Sequence, residues 1–123
     1  MPALGFKYTS CISWEKDQPS IGQYFRGQTE YLLLGVQGHG FAVRTERRDL
    51  TTLLKAPVPR YPKGHPKVGR RIHSRKPPEA YDRIEARSNG PYAELFARPP
   101  TRPGWFSWGQ LDEGSEPEIW VGE

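Results

Sequence analysis

Residues 70–109 constrain the fold more than any other stretch of the chain. They read RRIHSRKPPEAYDRIEARSNGPYAELFARPPTRPGWFSWG. A basic loop runs into Pro77-Pro78, and proline suits the first turn of a helix, where its missing N–H costs nothing. The spacing of Ala80, Tyr81, Ile84 and Ala86 predicts one amphipathic helix over Pro78–Arg87, with Asp82, Arg83, Glu85 and Arg87 in water. Asn89-Gly90 can adopt the left-handed conformation that stops it. A strand over Pro91–Arg98 follows, with Tyr92 and Phe96 on one face and Ala93, Leu95 and Ala97 on the other. Trp105 and Trp108 then pin a turn and form a short strand. This order is half of a βαβ unit and places the chain in the α/β class.

That strand carries polar residues where ligands of open α/β sheets bind, beyond its carboxyl end. Glu94 lies within an apolar run, and a buried carboxylate needs a partner or a ligand. Arg98 closes the strand and is a ligand-facing cation, or else the ion-pair partner of Glu94.

Upstream, Lys7–Trp14 alternates, with Tyr8, Ser10, Ile12 and Trp14 on one face, and predicts a strand. Thr29–Val36, TEYLLLGV, predicts a second strand covered on both faces. The two pair antiparallel across a loop that carries Gln23, Tyr24, Phe25 and Arg26. An aromatic beside an arginine can stack on a base and hold a phosphate. The alternative is a ring that plugs the core beneath the loop, and for either ring taken singly that is the favoured reading. Asp49–Ala56 predicts a short third strand. The stretch 56–72 holds several prolines and glycines and is expected to lack regular structure.

Thirteen glycines, thirteen prolines and a 35% hydrophobic share leave a modest core in one domain, helped by fifteen aromatic residues (four Trp, six Tyr, five Phe). The net charge is +4. Its distribution says more: from Arg44 to Lys76 only Glu46 and Asp49 oppose a run of cations, whereas every charge after Gly109 is acidic. That asymmetry fits a polyanion at the middle segment, or a solvated basic loop. One cysteine, Cys11, excludes an internal disulfide, and His39, His65 and His73 lack metal-ligand spacing, so no metal is expected. No leader or apolar span is visible, so no membrane contact is expected and a reducing, cytoplasmic setting follows. No nucleophile constellation and no Gly-rich phosphate loop can be assembled. From the residues alone the chain is a basic α/β domain with a polar strand-end pocket and no assigned reaction.

Three ordered motifs add a reaction. GQYFRGQTEYLLLGVQG, HSRKPPEAYDRIE and PYAELFARPPTRPGWFSWG together resemble the C-terminal half of an adenine-N(6) methyltransferase family. The family is named for the seventy-kilodalton catalytic subunit of the mRNA adenosine methyltransferase and includes bacterial and phage DNA methyltransferases. The resemblance runs from about Gly5 to Gln110. It implies a partial Rossmann-like fold that uses S-adenosylmethionine, comprising the C-terminal half of the sheet and one main helix. Residues 1–111 are then the cofactor-binding portion, with a basic Pro/Gly-rich loop at 56–72 and an acidic tail at 112–123. By resemblance Lys76 is catalytic. Glu94, Leu95, Phe96 and Arg98 bind the cofactor, with Glu94 and Arg98 on its ribose. Gly109 and Gln110 join them in a Trp-Gly-Gln segment where the family carries Trp-Gly-Asn. Tyr24, Phe25, Arg26, His73 and Arg75 contact the substrate.

One departure dominates. The family's Asp-Pro-Pro-Trp tetrapeptide, which grips the target amine, is missing: Asp17, Asp49, Asp82 and Asp112 are the only aspartates, and none precedes Pro-Pro. The expectation is a truncated or split DNA adenine methyltransferase, inactive alone, with the Asp-Pro-Pro-Trp half on a separate chain. A non-catalytic nucleic-acid-binding partner subunit is the alternative, and a product that never folds stably is a third. DNA is preferred over RNA because the motifs look more like the bacterial and phage members.

Overall fold

The computed structural model describes residues 2–38 and 49–109. The chain divides into two compact units, Met1–Asn89 and Gly90–Glu123.

The first unit is built on a mixed sheet. Strand β1, Lys7–Glu15, is central. It pairs antiparallel along its length with β2, Thr29–Val36, and parallel at Ser13–Glu15 with β3, Leu53–Lys55. Register explains the core. Ile12 faces Leu32, and Trp14 lies between Glu30 on β2 and Leu54 on β3. These residues share one face because side chains alternate along a strand. Trp14 is 1% exposed and packs with Leu54, Ala56, Val58 and Ala80, against which Ile12 and Leu32 also lie. Its indole Nε1–H donates to the Ala56 carbonyl at 2.8 Å, so the ring is buried without an orphaned donor. Burial of that ring contributes roughly 4–6 kcal/mol of transfer free energy, as an upper bound.

The opposite face is open among the described residues. Tyr31 and Leu33 on β2 and Leu53 on β3 are exposed. The expected cover on both faces of β2 is therefore absent there: β2 is an outer strand of this sheet, and the half-buried Leu32 is its hydrophobic residue against the core cluster among the described residues.

Helix α1, Pro78–Arg87, has the expected bounds. Pro77 caps it in an extended conformation and is itself fully buried. Its inward stripe is narrow, since only Ala80 is buried. Arg83 fastens the helix to the strand layer by donating to the carbonyls of Thr51 and Leu53. The helix stops differently from expectation. Ser88 turns to extended backbone (φ −136°, ψ 154°), and both its N–H and its Oγ bond the Ile84 carbonyl, at 3.0 and 2.8 Å. A serine side chain satisfying the last turn replaces the left-handed Asn89-Gly90 stop.

The proline-rich segment is also more regular than its composition suggests. Arg60 and Arg71 form an antiparallel bridge, and Tyr61 N–H to Arg70 O (2.9 Å) and Ile72 N–H to Pro59 O (2.8 Å) close it. Gly64 and Gly69 take φ of 90° and 81°, which lets the chain reverse inside so short a loop. Tyr61 stacks on His65 at 4.3 Å, and the His65 Nδ1 accepts the Lys67 N–H.

The second unit contains β4, Tyr92–Ala97, and β5, Trp105–Gly109, paired parallel. The tyrosine ring of Tyr92 stacks on Trp105 at 5.0 Å. The register slips between Leu95 and Ala97, and Phe96 takes φ of 62°. This bulge breaks the expected alternation of Tyr92 and Phe96 on one face. Gly109 approaches the backbone of Ala97 too closely for any Cβ. The architecture is a small α/β arrangement with a mixed sheet and one helix among the described residues.

Candidate functional site

Lys76 leaves the turn that precedes α1. That turn is closed by Arg75 N–H to Ile72 O (3.3 Å) and contains Ser74 in the left-handed region, φ 62°. A serine there is strained, and the buried Pro77 just beyond fixes the exit direction. The Lys76 Nζ then reaches β2 and donates to Glu30 Oε1 at 2.8 Å. The other oxygen of Glu30 takes Lys16 Nζ, also at 2.8 Å. Lys16 in turn lies 5.2 Å from the centre of the Trp14 ring, a cation–π contact.

One carboxylate thus holds two ammonium groups. Partial burial pushes the Glu30 carboxyl up, but the hydrogen bonds and charges of Lys16 and Lys76 outweigh it and hold the group below its usual value. The cluster keeps a net positive charge. Lys76 remains 44% exposed, so part of its ammonium can reach a ligand while Glu30 fixes its position.

Lys16 and Glu30 stand at the root of the loop between β1 and β2. The root is zipped by Lys16 N–H to Gln28 O (2.9 Å), Ser20 N–H to Gly27 O (2.6 Å) and Gln28 Nε2 to Lys16 O (3.1 Å). Beyond it the tip turns tightly, and Gly22 has no room for a Cβ against the Phe25 carbonyl. Ile21, Tyr24 and Phe25 are 97%, 92% and 90% exposed. Neither ring plugs the core; both point away from it because the turn at Gly22 carries them past the zipped root. Arg26 curls back instead, donating to the carbonyls of Ser20 (3.3 Å) and Pro19 (3.5 Å).

The loop root is also braced from the 60–71 hairpin. Asp17 Oδ1 accepts the Val58 N–H at 2.9 Å, and this bond together with Arg60 holds the Asp17 carboxyl below its usual range. Arg60 reaches Gln18 Oε1 at 3.0 Å, and Arg71 donates to Pro19 O at 3.1 Å.

The sequence-predicted residues divide between the units. Lys76, Tyr24, Phe25, Arg26, His73 and Arg75 lie in the first; Glu94, Leu95, Phe96, Arg98 and Gly109 lie in the second. His73 is exposed, and its Nδ1 is 3.4 Å from Ser74 Oγ. Arg75 is half-buried. In the second unit Glu94 and Arg98 are half-buried, with Leu95 and Phe96 exposed at the bulge. Glu94 is in register with Ser107 on β5, whose buried Oγ has no hydrogen-bond partner. Gln110 lies outside the described residues. Among the described residues, no group of three or more His, Cys, Asp or Glu side chains is placed to hold a metal, and no helix is long and apolar enough to cross a membrane.

Sequence reasoning missed Lys16 and Glu30. The signal was present: Glu30 is an acid inside the apolar run TEYLLLGV, the same anomaly that marks Glu94. Antiparallel pairing of β1 with β2 brings Glu15 opposite Thr29, which sets Lys16 beside Glu30's strand.

The family model described as MT-A70, a methyltransferase family, matches residues 7–111. No curated protein matches the chain.

Proposed function

The chain belongs to the MT-A70 family, and from that membership we propose that it supplies the cofactor-binding and substrate-positioning part of an S-adenosylmethionine-dependent adenine-N(6) methyltransferase acting on DNA. The proposal includes a Rossmann-like arrangement in which a different segment, on this or another chain, carries Asp-Pro-Pro-Trp. The observation that carries it is Lys76: the residue that the family resemblance makes catalytic is the one the fold pins, through Glu30, into a charged cluster with Lys16.

The second unit offers groups that fit the cofactor. Glu94 can accept from ribose hydroxyls, and the buried, unbonded Oγ of Ser107 stands across from it. Gly109 adds no space there, because the place of its missing Cβ is taken by the Ala97 backbone. When bound, the cofactor supplies an electrophilic methyl group, so the protein's task is mainly alignment of the amine. Lys76 is held by Glu30 for that task, and Lys16 holds Glu30 from the other side. These 123 residues hold no Asp-Pro-Pro-Trp to orient the amine. The exposed aromatic tip also supports a second reading as a non-catalytic nucleic-acid-binding partner subunit.

Calorimetric titration of the purified chain with S-adenosylmethionine tests the proposal. Saturable binding, weakened at least about tenfold by Arg98→Ala, is expected, since loss of a charge-assisted bond removes about 1.5–3 kcal/mol. No heat at millimolar ligand overturns the cofactor-binding reading and leaves the second one. Methylation of an adenine-containing duplex by the chain alone is expected to be negligible. Detectable methylation, abolished by Lys76→Ala, would overturn the assignment of the orienting motif to another segment.

A further inference from the structure

A bulge in β1 adds a fourth bulky residue to the open face of the first unit's sheet. Tyr8 lies opposite Gly35 and Ser10 opposite Leu34, so the register shifts by one residue at Thr9. Residues directly opposite each other share a face, and one extra residue moves everything beyond it to the other side. Tyr8 therefore joins Tyr31 and Leu33 rather than Ser10, Ile12 and Trp14, which corrects the alternation expected for β1. Leu53 completes the set, because it and Tyr31 flank Ser13 from either side. Tyr8, Tyr31, Leu33 and Leu53 are 55%, 67%, 59% and 47% exposed, and none belongs to the cluster around Trp14.

This face has relief, balanced charge and a telling size. Tyr31 and Leu33 form a ridge on β2 and Leu53 stands on β3, while the central strand between them carries only Cys11 and Ser13 there. A row of small side chains thus lies between rows of large ones. In a second copy, turned about a two-fold axis along the strands, the β2 ridge falls over the β1 trough of the first, and the first copy's ridge falls over the second's trough. Sheets pack face to face in this way about 10 Å apart. Glu15 and Lys55 are the charged residues that the three strands place on this face, and they pair with each other at 3.8 Å. A chain of net charge +4 therefore has a neutral face on which a copy meets no repulsion. The exposed side chains present on the order of 500 Å² per copy, so two copies would cover about 1,000 Å², where specific interfaces begin.

We propose that this face joins two copies of the chain in a two-fold dimer, with Tyr8, Tyr31, Leu33 and Leu53 of each closed against the other. The dimer leaves both candidate sites free. Glu30 is in register with Trp14 on the opposite face of the sheet, so the Lys16–Glu30–Lys76 cluster of each copy lies away from the interface. Cys11 stands mid-face, opposite Leu33, and its thiol is covered when the copies meet. The inference goes beyond the proposed function and does not rest on it, since it uses neither cofactor nor nucleic acid.

Sedimentation velocity of the purified full chain, from low micromolar to several hundred micromolar, tests it. A concentration-dependent shift from monomer to a discrete dimer is expected. Tyr31→Thr/Leu33→Thr removes the ridge while keeping residues that suit a strand, and is expected to weaken dimerisation at least about tenfold. The control Tyr24→Ser/Phe25→Ser removes two exposed rings from the β1–β2 loop and is expected to leave dimerisation unchanged. Maleimide labelling of Cys11, the chain's one cysteine, reads the interface directly. Labelling is expected to slow as the concentration of the unaltered chain rises, and to stay constant in the Tyr31→Thr/Leu33→Thr variant. Circular dichroism checks that each variant keeps its fold. A chain that stays monomeric, with Cys11 labelled at one rate throughout, overturns the proposal and leaves the face to a different chain. A dimer that survives loss of the ridge overturns it as well, as does a dimer lost in the loop control. So does a mass that grows without limit, which marks an open-ended contact in place of a two-fold one.

Discussion

The Lys16–Glu30–Lys76 cluster shows how a residue acquires a role that its own neighbourhood in sequence does not announce. Lys76 is marked by its motif, but its position comes from Glu30, 46 residues away. The folded-state value of the Glu30 carboxyl lies below its ordinary value of 4.5. A depressed carboxylate stabilises the fold above the unfolded value and loses that contribution as pH falls through the folded value. Both partners are partly solvated, so the effect is small. Glu30→Gln is expected to cost about 1 kcal/mol or less at neutral pH, and the difference from the unaltered chain should shrink and disappear as pH falls below the ordinary carboxylate range in urea titrations. A difference that persists in acid would mean that Glu30 stabilises by packing rather than by charge. Trp14 is the contrasting residue, with one uncharged bond that no pH change removes. Trp14→Phe keeps most of the ring but leaves the Ala56 carbonyl without its donor, and is expected to cost about 1–3 kcal/mol by denaturant midpoint at any pH where the chain folds.

At the scale of elements, what was legible in the sequence was what local chemistry decides. The bounds of α1 follow from Pro77-Pro78 and the 3.6-residue stripe, and those of β1 and β2 from alternation and an apolar run. What was not legible depended on partners. Nothing in TEYLLLGV says that Tyr31 and Leu33 stay in water while Leu32 is half-buried against the core; the register with Ile12 decides it. Nothing in PRYPKGHPKVGRR announces a hairpin, because its closing bridge joins two arginines, Arg60 and Arg71. The candidate site follows the same division: Lys76 was legible as a motif residue, Glu30 and Lys16 only once β1 met β2. The bulge at Phe96 escaped alternation because Gly109 is what permits it, thirteen positions on. Gly109→Ala places a methyl group against the Ala97 backbone, where overpacking costs about 1–3 kcal/mol. Faster amide exchange across Tyr92–Ala97, with β1 and β2 unchanged, is the expected result. Unchanged exchange in β4 would show that the close approach is not needed for the pairing.

For the whole molecule, the described hydrophobic cluster lies in one unit, and Ala97 is the buried hydrophobic residue described in the other. Trp14, Leu54, Ala56, Val58 and Ala80 all precede Asn89, and so do the helix that covers them and the Trp14–Ala56 bond. The described part of the second unit is two paired strands, and an isolated two-stranded sheet is marginal in water. The units should therefore differ in autonomy. Trp14 is the only tryptophan before residue 90, so a chain ending at Asn89 reports on this core with a single fluorophore. That fragment is expected to show blue-shifted Trp14 emission, protected from acrylamide and lost cooperatively in urea, whereas residues 90–123 alone should show no cooperative transition. Water-exposed emission from the fragment would mean that Trp14 is buried only when the second unit is present, and the core would then belong to the whole chain. Protected emission would make the first unit a platform that folds before β4 and β5 are in place. The Lys76–Glu30 contact would then persist in the fragment, as would the acid-sensitive difference on Glu30→Gln.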